Sequence, residues 1–185
     1  MGCGPSNEGG KLGSNGMNGS LSDPPPLPPT DPRLPLTARQ KFSLEKSWKA
    51  VQRNAETVGS ETLLRMFRMD PSVQDLFHDF KGKNEEELRG MFSFETQSTL
   101  MINVFDEVVE KLDDMDSVIN LLQKTAEKHR QMGISADVLR KIEEPFMISL
   151  KNCLGDRYTE KIEEIYITFT KLVMDIMCQA IEDGS

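Results

Sequence analysis

The sequence predicts an all-α fold preceded by a flexible tail, and three observations support this prediction. Apolar residues recur at helical spacing, every three to four positions, almost throughout residues 37–182. No segment alternates with a period of two, and no Asn-Gly or Asp-Gly hairpin signal lies between such segments. The composition changes sharply near residue 36, because seven of the 13 glycines lie in the first 20 residues and eight of the ten prolines in the first 36.

The composition divides the chain into three parts. Residues 1–36 are expected to be a disordered tail, residues 37–182 a single folded domain, and residues 183–185 the C-terminal end. The tail has no aromatic residue and cannot bury enough apolar surface to offset the entropy lost on ordering. Its Gly-rich beginning is expected to be flexible and its Pro-rich end to be stiffer, as in polyproline II segments.

Six to eight helices are predicted in the domain from their apolar stripes and end signals. Thr37-Ala38-Arg39-Gln40 is a capping box that begins the first helix. The second helix ends before Pro71, where a short turn follows. A long third helix comes next, then one that ends near Gly133. Two more helices complete the domain, and Pro145 should kink the first of them.

Composition and motifs exclude several classes of protein. With 22 Lys and Arg against 30 Asp and Glu, the net charge of -8 argues against nucleic-acid binding, which needs a basic surface. No apolar run is long enough for a transmembrane helix. Three cysteines suit a reducing compartment, and Cys153 and Cys178 are expected to be buried, inert thiols. No phosphate loop, HExxH motif, CxxC pair or nucleophile elbow appears, so no catalytic residue is predicted.

The N-terminal sequence Met1-Gly2-Cys3-Gly4-Pro5-Ser6 matches the pattern for N-myristoylation at Gly2. A single myristoyl chain binds membranes only marginally, and the tail carries no polybasic patch as a second signal. Palmitoylation of Cys3 would supply that signal, which predicts a lipid-anchored protein at the cytoplasmic face of the plasma membrane. The alternative is a chance match within a Gly-rich tail.

Two polar residues interrupt the apolar stripes of their helices. Gln97 lies three positions after Phe94 and four before Met101, and His129 lies seven positions after Leu122. A polar side chain on a buried face is costly unless it has a partner. Each residue is therefore either a structural residue with its hydrogen bonds satisfied, or part of a polar or metal-binding site between two helices.

Residues 37–182 resemble the globin family, and within it the neuroglobin and globin X type. The resemblance rests on an ordered set of landmarks at matching spacing: Trp48, Pro71, Phe77, Phe80, Lys128-His129-Arg130, Gly133-Ile134 and Cys153-Leu154-Gly155. They stand where such globins have the first-helix tryptophan, the proline of the third helix, the haem-stacking phenylalanine, the proximal segment and the end of the following helix. An acylated tail also resembles globin X and the membrane-bound invertebrate globins.

The resemblance implies a globin fold that binds haem b, with His129 as the proximal ligand of the iron. Gln97 falls on the opposite side, where many relatives have a histidine that occupies the sixth iron position. An amide cannot easily do so, and a five-coordinate ferrous haem is expected, with the Gln97 NH₂ group donating a hydrogen bond to O₂. The other implied contacts are Phe77 stacked on the porphyrin, Leu63 and Met101 on the distal side, and Leu139, Ile142 and Ile134 on the proximal side.

Two further positions bear on this expected site. His78 directly follows Phe77 and is expected to face solvent rather than a haem propionate. Thr125 stands where a leucine is more usual in the proximal wall.

Two functions compete on this evidence. The first is a membrane-anchored haem protein that binds O₂, NO or related ligands in a redox or signalling role, with a reductase as a candidate partner. The second is a reversible O₂ store or carrier, which a membrane tether disfavours because a surface holds few molecules. A helical adaptor without haem is disfavoured because both His129 and Phe77 are present.

Overall fold

The computed structural model describes residues 1–2 and 27–184, and the helices of this part follow the predicted order. Their bounds are α1 Ala38–Gln52, α2 Ala55–Met69, α3 Pro71–Gln74, α4 Glu85–Arg89, α5 Phe92–Glu110, α6 Met115–Gln131, α7 Ala136–Arg140, α8 Glu143–Leu154 and α9 Glu160–Asp183. A 3₁₀ turn, Gly155–Arg157, joins the last two. No strand occurs within the described residues, so the expected all-α fold is confirmed. In detail, α7 and α8 together replace one predicted helix, and the short helices α3 and α4 lie between the second and third predicted helices, where only a turn was expected.

The start of α1 is fixed by local hydrogen bonds, as the capping box predicts. The Thr37 hydroxyl accepts from the Gln40 backbone N–H at 3.3 Å, and the Gln40 side chain accepts from the Thr37 backbone N–H at 2.9 Å. Two of the otherwise unpaired N–H groups at the helix start are thereby satisfied. The helix then buries Leu44, Trp48 and Val51 in the core.

The crossing of α2 and α5 depends on a residue without a side chain. A Cβ atom at Gly59 would clash with the backbone carbonyl group of Ser98. Only glycine lets the two backbones approach so closely without a shift. Because Ser98 directly follows Gln97, this contact also fixes the position of Gln97 relative to α2.

In place of the kink predicted at Pro145, the structure has a complete break between two helices just before the proline. The helix stops after α7, and residues 141–142 form a turn before α8 begins at Glu143. Pro145 therefore lies in the first turn of α8, where its missing N–H leaves no intrahelical bond unmade. The break lets α7 pack against α9 while α8 packs against α2.

The prediction that the disordered tail extends to residue 36 is wrong for the last residues of the tail. Leu34 and Leu36 are only 3% and 2% exposed and belong to the core. Arg33 pairs with Asp116 in the first turn of α6 at 2.6 Å, and the Thr30 hydroxyl donates to the Leu36 carbonyl at 3.0 Å. A low average apolar content does not prevent two leucines from packing onto a core that is already formed. The predicted Gly-rich segment and the start of the Pro-rich segment, residues 3–26, lie outside the described residues.

At the other end, α9 continues to Asp183, one residue beyond the predicted domain. Within the described residues, no helix combines the length and the apolar character needed to cross a bilayer.

Candidate functional site

A cavity of about 380 Å³ lies among α2, α5, α6, α7 and α9. Its volume falls within the usual range for small-molecule and cofactor sites. Eight residues were predicted from the sequence to contact a cofactor, and all eight line this cavity: His129, Gln97, Phe77, Met101, Leu63, Leu139, Ile142 and Ile134. The structure thus brings these eight side chains together around one space, and their individual roles towards a cofactor stay predictions.

His129 lies in the last turn of α6 and is partly buried in the cavity wall. Its Nδ1 atom lies 2.8 Å from the backbone carbonyl oxygen of Thr125. A carbonyl oxygen can only accept, so Nδ1 carries the proton and donates it. In the neutral imidazole, Nε2 then keeps an unprotonated lone pair, which is the state required of a metal ligand. The same hydrogen bond fixes the orientation of the ring.

Thr125 also lines the cavity, and its hydroxyl group is already hydrogen-bonded within α6. Its Oγ1 donates to the Leu121 carbonyl oxygen at 2.9 Å, one turn earlier on α6. The departure from the usual leucine therefore leaves no unsatisfied donor in the wall below His129.

Gln97 lies on α5 and lines the cavity, partly buried. Its amide makes no hydrogen bond to any other residue of segment 27–184. The NH₂ group is therefore available to donate to a ligand in the cavity.

Phe77 lies in the segment after α3 and lines the cavity. Its ring stacks on that of Phe80, with centroids 5.3 Å apart and an angle of 17° between the planes. A second contact joins it to Phe67, with centroids 5.4 Å apart. This aromatic cluster holds Phe77 in place beside the cavity.

His78 faces solvent, as expected. Its side chain is fully exposed, and its only recorded partner within the described residues is Asp79, at 3.1 Å from Nδ1. The chain has two histidines in all, and of these only His129 lines the cavity.

Of the two cysteines of the domain that were expected to be buried, Cys178 agrees with the expectation and Cys153 only in part. Cys178 is buried and Cys153 partly buried, and both are free thiols. Burial raises the pKa of each thiol above its ordinary value, which favours the thiol over the nucleophilic thiolate.

Sequence reasoning missed the contribution of α9 and several other wall residues. The missed residues include Met66, Val104, Phe105, Val173, Met174 and Met177. The stripe on α9 was visible in the sequence, but nothing in it distinguishes the residues that face the cavity from those that face α1 or α8. That distinction depends on how the helices cross.

Comparisons with known proteins agree with this architecture. A family model described as "Globin" matches residues 60–177. The chain is 25% identical over 146 residues to neuroglobin of Chaenocephalus aceratus, which covers 78% of this chain and 91% of that protein. It is 30% identical over 99 residues to a globin of Nerita albicilla, which covers 54% of this chain and 63% of that relative.

A solved structure shows the same arrangement of helices. It is described as a hexacoordinated heme protein from an anhydrobiotic tardigrade at pH 4, and it superposes with a TM-score of 0.80 at 35% identity. The match covers 83% of this chain and 99% of that one. Since the family model covers more than half of the sequence and the helices superpose along the domain, the chain belongs to the globin family and has the globin fold.

Proposed function

We propose that the chain binds haem b in the cavity, with His129 as the proximal iron ligand. The observation that carries this proposal is the Nδ1–H bond of the cavity-lining His129 to Thr125, which leaves Nε2 as the ring nitrogen with a free lone pair. The surrounding wall is mostly apolar, as the porphyrin ring requires, and it includes the aromatic ring of Phe77. Bound haem iron would supply reversible binding of a diatomic ligand such as O₂ or NO.

The distal side of the proposed site is formed by Gln97, Met101 and Leu63. Gln97 is the polar group among them, and its free amide would donate a hydrogen bond to an O₂ ligand. The tardigrade protein is described as hexacoordinated, but in this chain the second histidine, His78, is exposed and does not line the cavity. A five-coordinate ferrous haem is therefore the proposed resting reduced state.

The proposed setting is the cytoplasmic face of the plasma membrane, through acyl chains on Gly2 and Cys3. Gly2 is exposed and nothing in the described structure lies against it, while Cys3 lies outside the described residues. A tethered haem protein fits a redox or signalling role, with a reductase to return the iron to its ferrous state. Reversible O₂ storage or transport is the alternative, and a cytosolic location at high abundance would favour it.

Visible absorption spectra of the purified protein, oxidised and reduced, test haem binding directly. The wild type should show a haem spectrum, and His129→Ala should lose haem or its proximal iron bond. The control is His78→Ala, which removes the exposed histidine and should leave both spectra unchanged. Full haem retention with an unaltered reduced spectrum in His129→Ala would refute the assignment.

A further inference from the structure

A row of aromatic side chains leads from the cavity to the surface. Phe105 lines the cavity, and its ring centroid lies 6.1 Å from that of Phe169. Phe169 lies 6.0 Å from Trp48, and Trp48 lies 6.3 Å from Tyr166. Tyr166 lies 6.5 Å from Tyr158, with the two rings stacked. The first four rings are buried and Tyr158 is partly exposed, so the row connects the cavity with solvent.

The row contains every indole and phenol group of the protein. Trp48 is the single tryptophan of the chain, and Tyr158 and Tyr166 are its two tyrosines. Indole and phenol side chains lose one electron far more readily than phenylalanine does. The indole and both phenols of the chain therefore lie next to one another, between the cavity side and the surface.

The indole and the buried phenol of the row, Trp48 and Tyr166, each have a hydrogen-bond acceptor beside them. The Trp48 Nε1–H group donates to the Asp106 carboxylate at 2.6 Å, a short charge-assisted bond, and Gln52 holds the same oxygen at 2.7 Å. When the indole loses an electron its N–H becomes strongly acidic, and this carboxylate is placed to accept the proton. The Tyr166 hydroxyl lies 3.1 Å from Ser47 Oγ, whose own proton is directed to backbone carbonyl oxygens one turn earlier.

Both phenols keep their protons at neutral pH. Burial, followed by the nearby Glu163 carboxylate, raises the pKa of Tyr158 to about 12. Burial raises the pKa of Tyr166 as well. Oxidation of either phenol near neutral pH therefore releases a proton together with the electron.

We propose that this row is an electron relay through which small one-electron donors at Tyr158, such as phenols or ascorbate, reduce hydrogen peroxide in the cavity. The inference rests on the haem binding proposed above. Reducing one H₂O₂ to two water molecules takes two electrons and two protons, so the relay operates twice per peroxide. In each pass Tyr158 loses one electron to the relay and its phenolic proton to solvent, and the donor then returns a hydrogen atom to the phenoxyl radical.

Radical trapping on the haem-loaded full-length protein tests the relay. Hydrogen peroxide is added together with a nitroso spin trap, the radical is recorded by electron paramagnetic resonance, and mass spectrometry locates the adduct. The wild type should carry its adduct on Tyr158, and Tyr158→Phe should lose it. Trp48→Phe should also lose the Tyr158 adduct although Tyr158 is intact.

A second variant with its own control distinguishes loss of the relay from a general disturbance of the core. Asp106→Asn keeps an oxygen that can accept from Trp48 but cannot take up its proton, so most of the Tyr158 adduct should be lost. The matched control is Asp113→Asn, which changes an exposed carboxylate paired with Lys41 outside the row. This control should leave the adduct unchanged.

Three outcomes would overturn the relay. One is a Tyr158 adduct that persists at wild-type yield in both Trp48→Phe and Asp106→Asn. Another is an adduct yield per molecule that rises with protein concentration, since oxidation would then pass between molecules. A third is an adduct located on other residues of the wild type. A haem spectrum taken before peroxide is added identifies the separate failure, in which haem does not bind and the proposed function falls with the relay.

Discussion

At the scale of single residues, the two polar side chains of the cavity have different relations to the backbone. His129 is held by the hydrogen bond from Nδ1 to Thr125, so its orientation is set before any cofactor binds. Gln97 has no such partner within the described residues, and its amide stays adaptable. This difference suits a fixed metal ligand on one wall and a hydrogen-bond donor to a ligand on the other.

The role of Gln97 gives a prediction about ligand kinetics. Its bond to O₂, from a neutral amide, should contribute about 1 kcal/mol, which corresponds to roughly a five- to tenfold effect on affinity. Gln97→Leu should speed O₂ release and autoxidation by that factor, with much less effect on CO because bound CO is less polar. Stopped-flow ligand displacement measures both rates.

Asn103→Leu is the matched control, because it replaces another amide on α5 that is exposed and does not line the cavity. It should leave O₂ release unchanged. Equal rates in Gln97→Leu and the wild type would contradict the proposed donor. So would the sharp visible bands of a low-spin bis-histidyl haem in the unliganded ferrous protein.

At the scale of elements, the prediction that the segment before α1 is disordered was wrong, because it considered only the local composition. Residues 30–36 look like the end of a Pro-rich linker, yet Leu34 and Leu36 complete the core and Arg33 contacts the first turn of α6. The exposed ion pair adds little by itself. Burial of the two leucines is therefore the main reason why the segment stays on the domain.

Leu34→Ala should lower the free energy of unfolding by about 2 kcal/mol or more, since it removes a buried side chain and leaves a cavity. Leu27→Ala is the control, because Leu27 is 47% exposed against 3% for Leu34 and has much less buried surface to lose. Chemical denaturation followed by circular dichroism measures both values. Equal stability of the two variants would mean that the segment does not contribute to the core.

At the scale of the whole molecule, helical periodicity was sufficient to predict an all-α fold, and the globin fold was predicted from the resemblance to that family. The apolar stripes and the capping signals of the sequence predict approximately where α1 and α6 begin and end, because those signals depend on residues that are close in sequence. The resemblance to globins placed eight residues on one cavity. Met174, Met177 and Phe105 were missed, since their position in the wall follows from contacts between helices that are distant in sequence. The burial of Leu34 was missed for the same reason.

The whole chain, with its net charge of -8, should not be drawn to anionic lipids by charge, so the proposed location depends on acylation. Gly2→Ala removes the myristoylation site and should release the protein to the cytosol. Cys3→Ser should leave a single chain, with weak and reversible binding. The control is Cys153→Ser, which removes a partly buried thiol of the domain and should leave the protein on membranes. Fractionation of cells, together with metabolic labelling by myristate and palmitate analogues, measures each step. A Gly2→Ala protein that still sediments fully with membranes would show that another feature of the molecule anchors it.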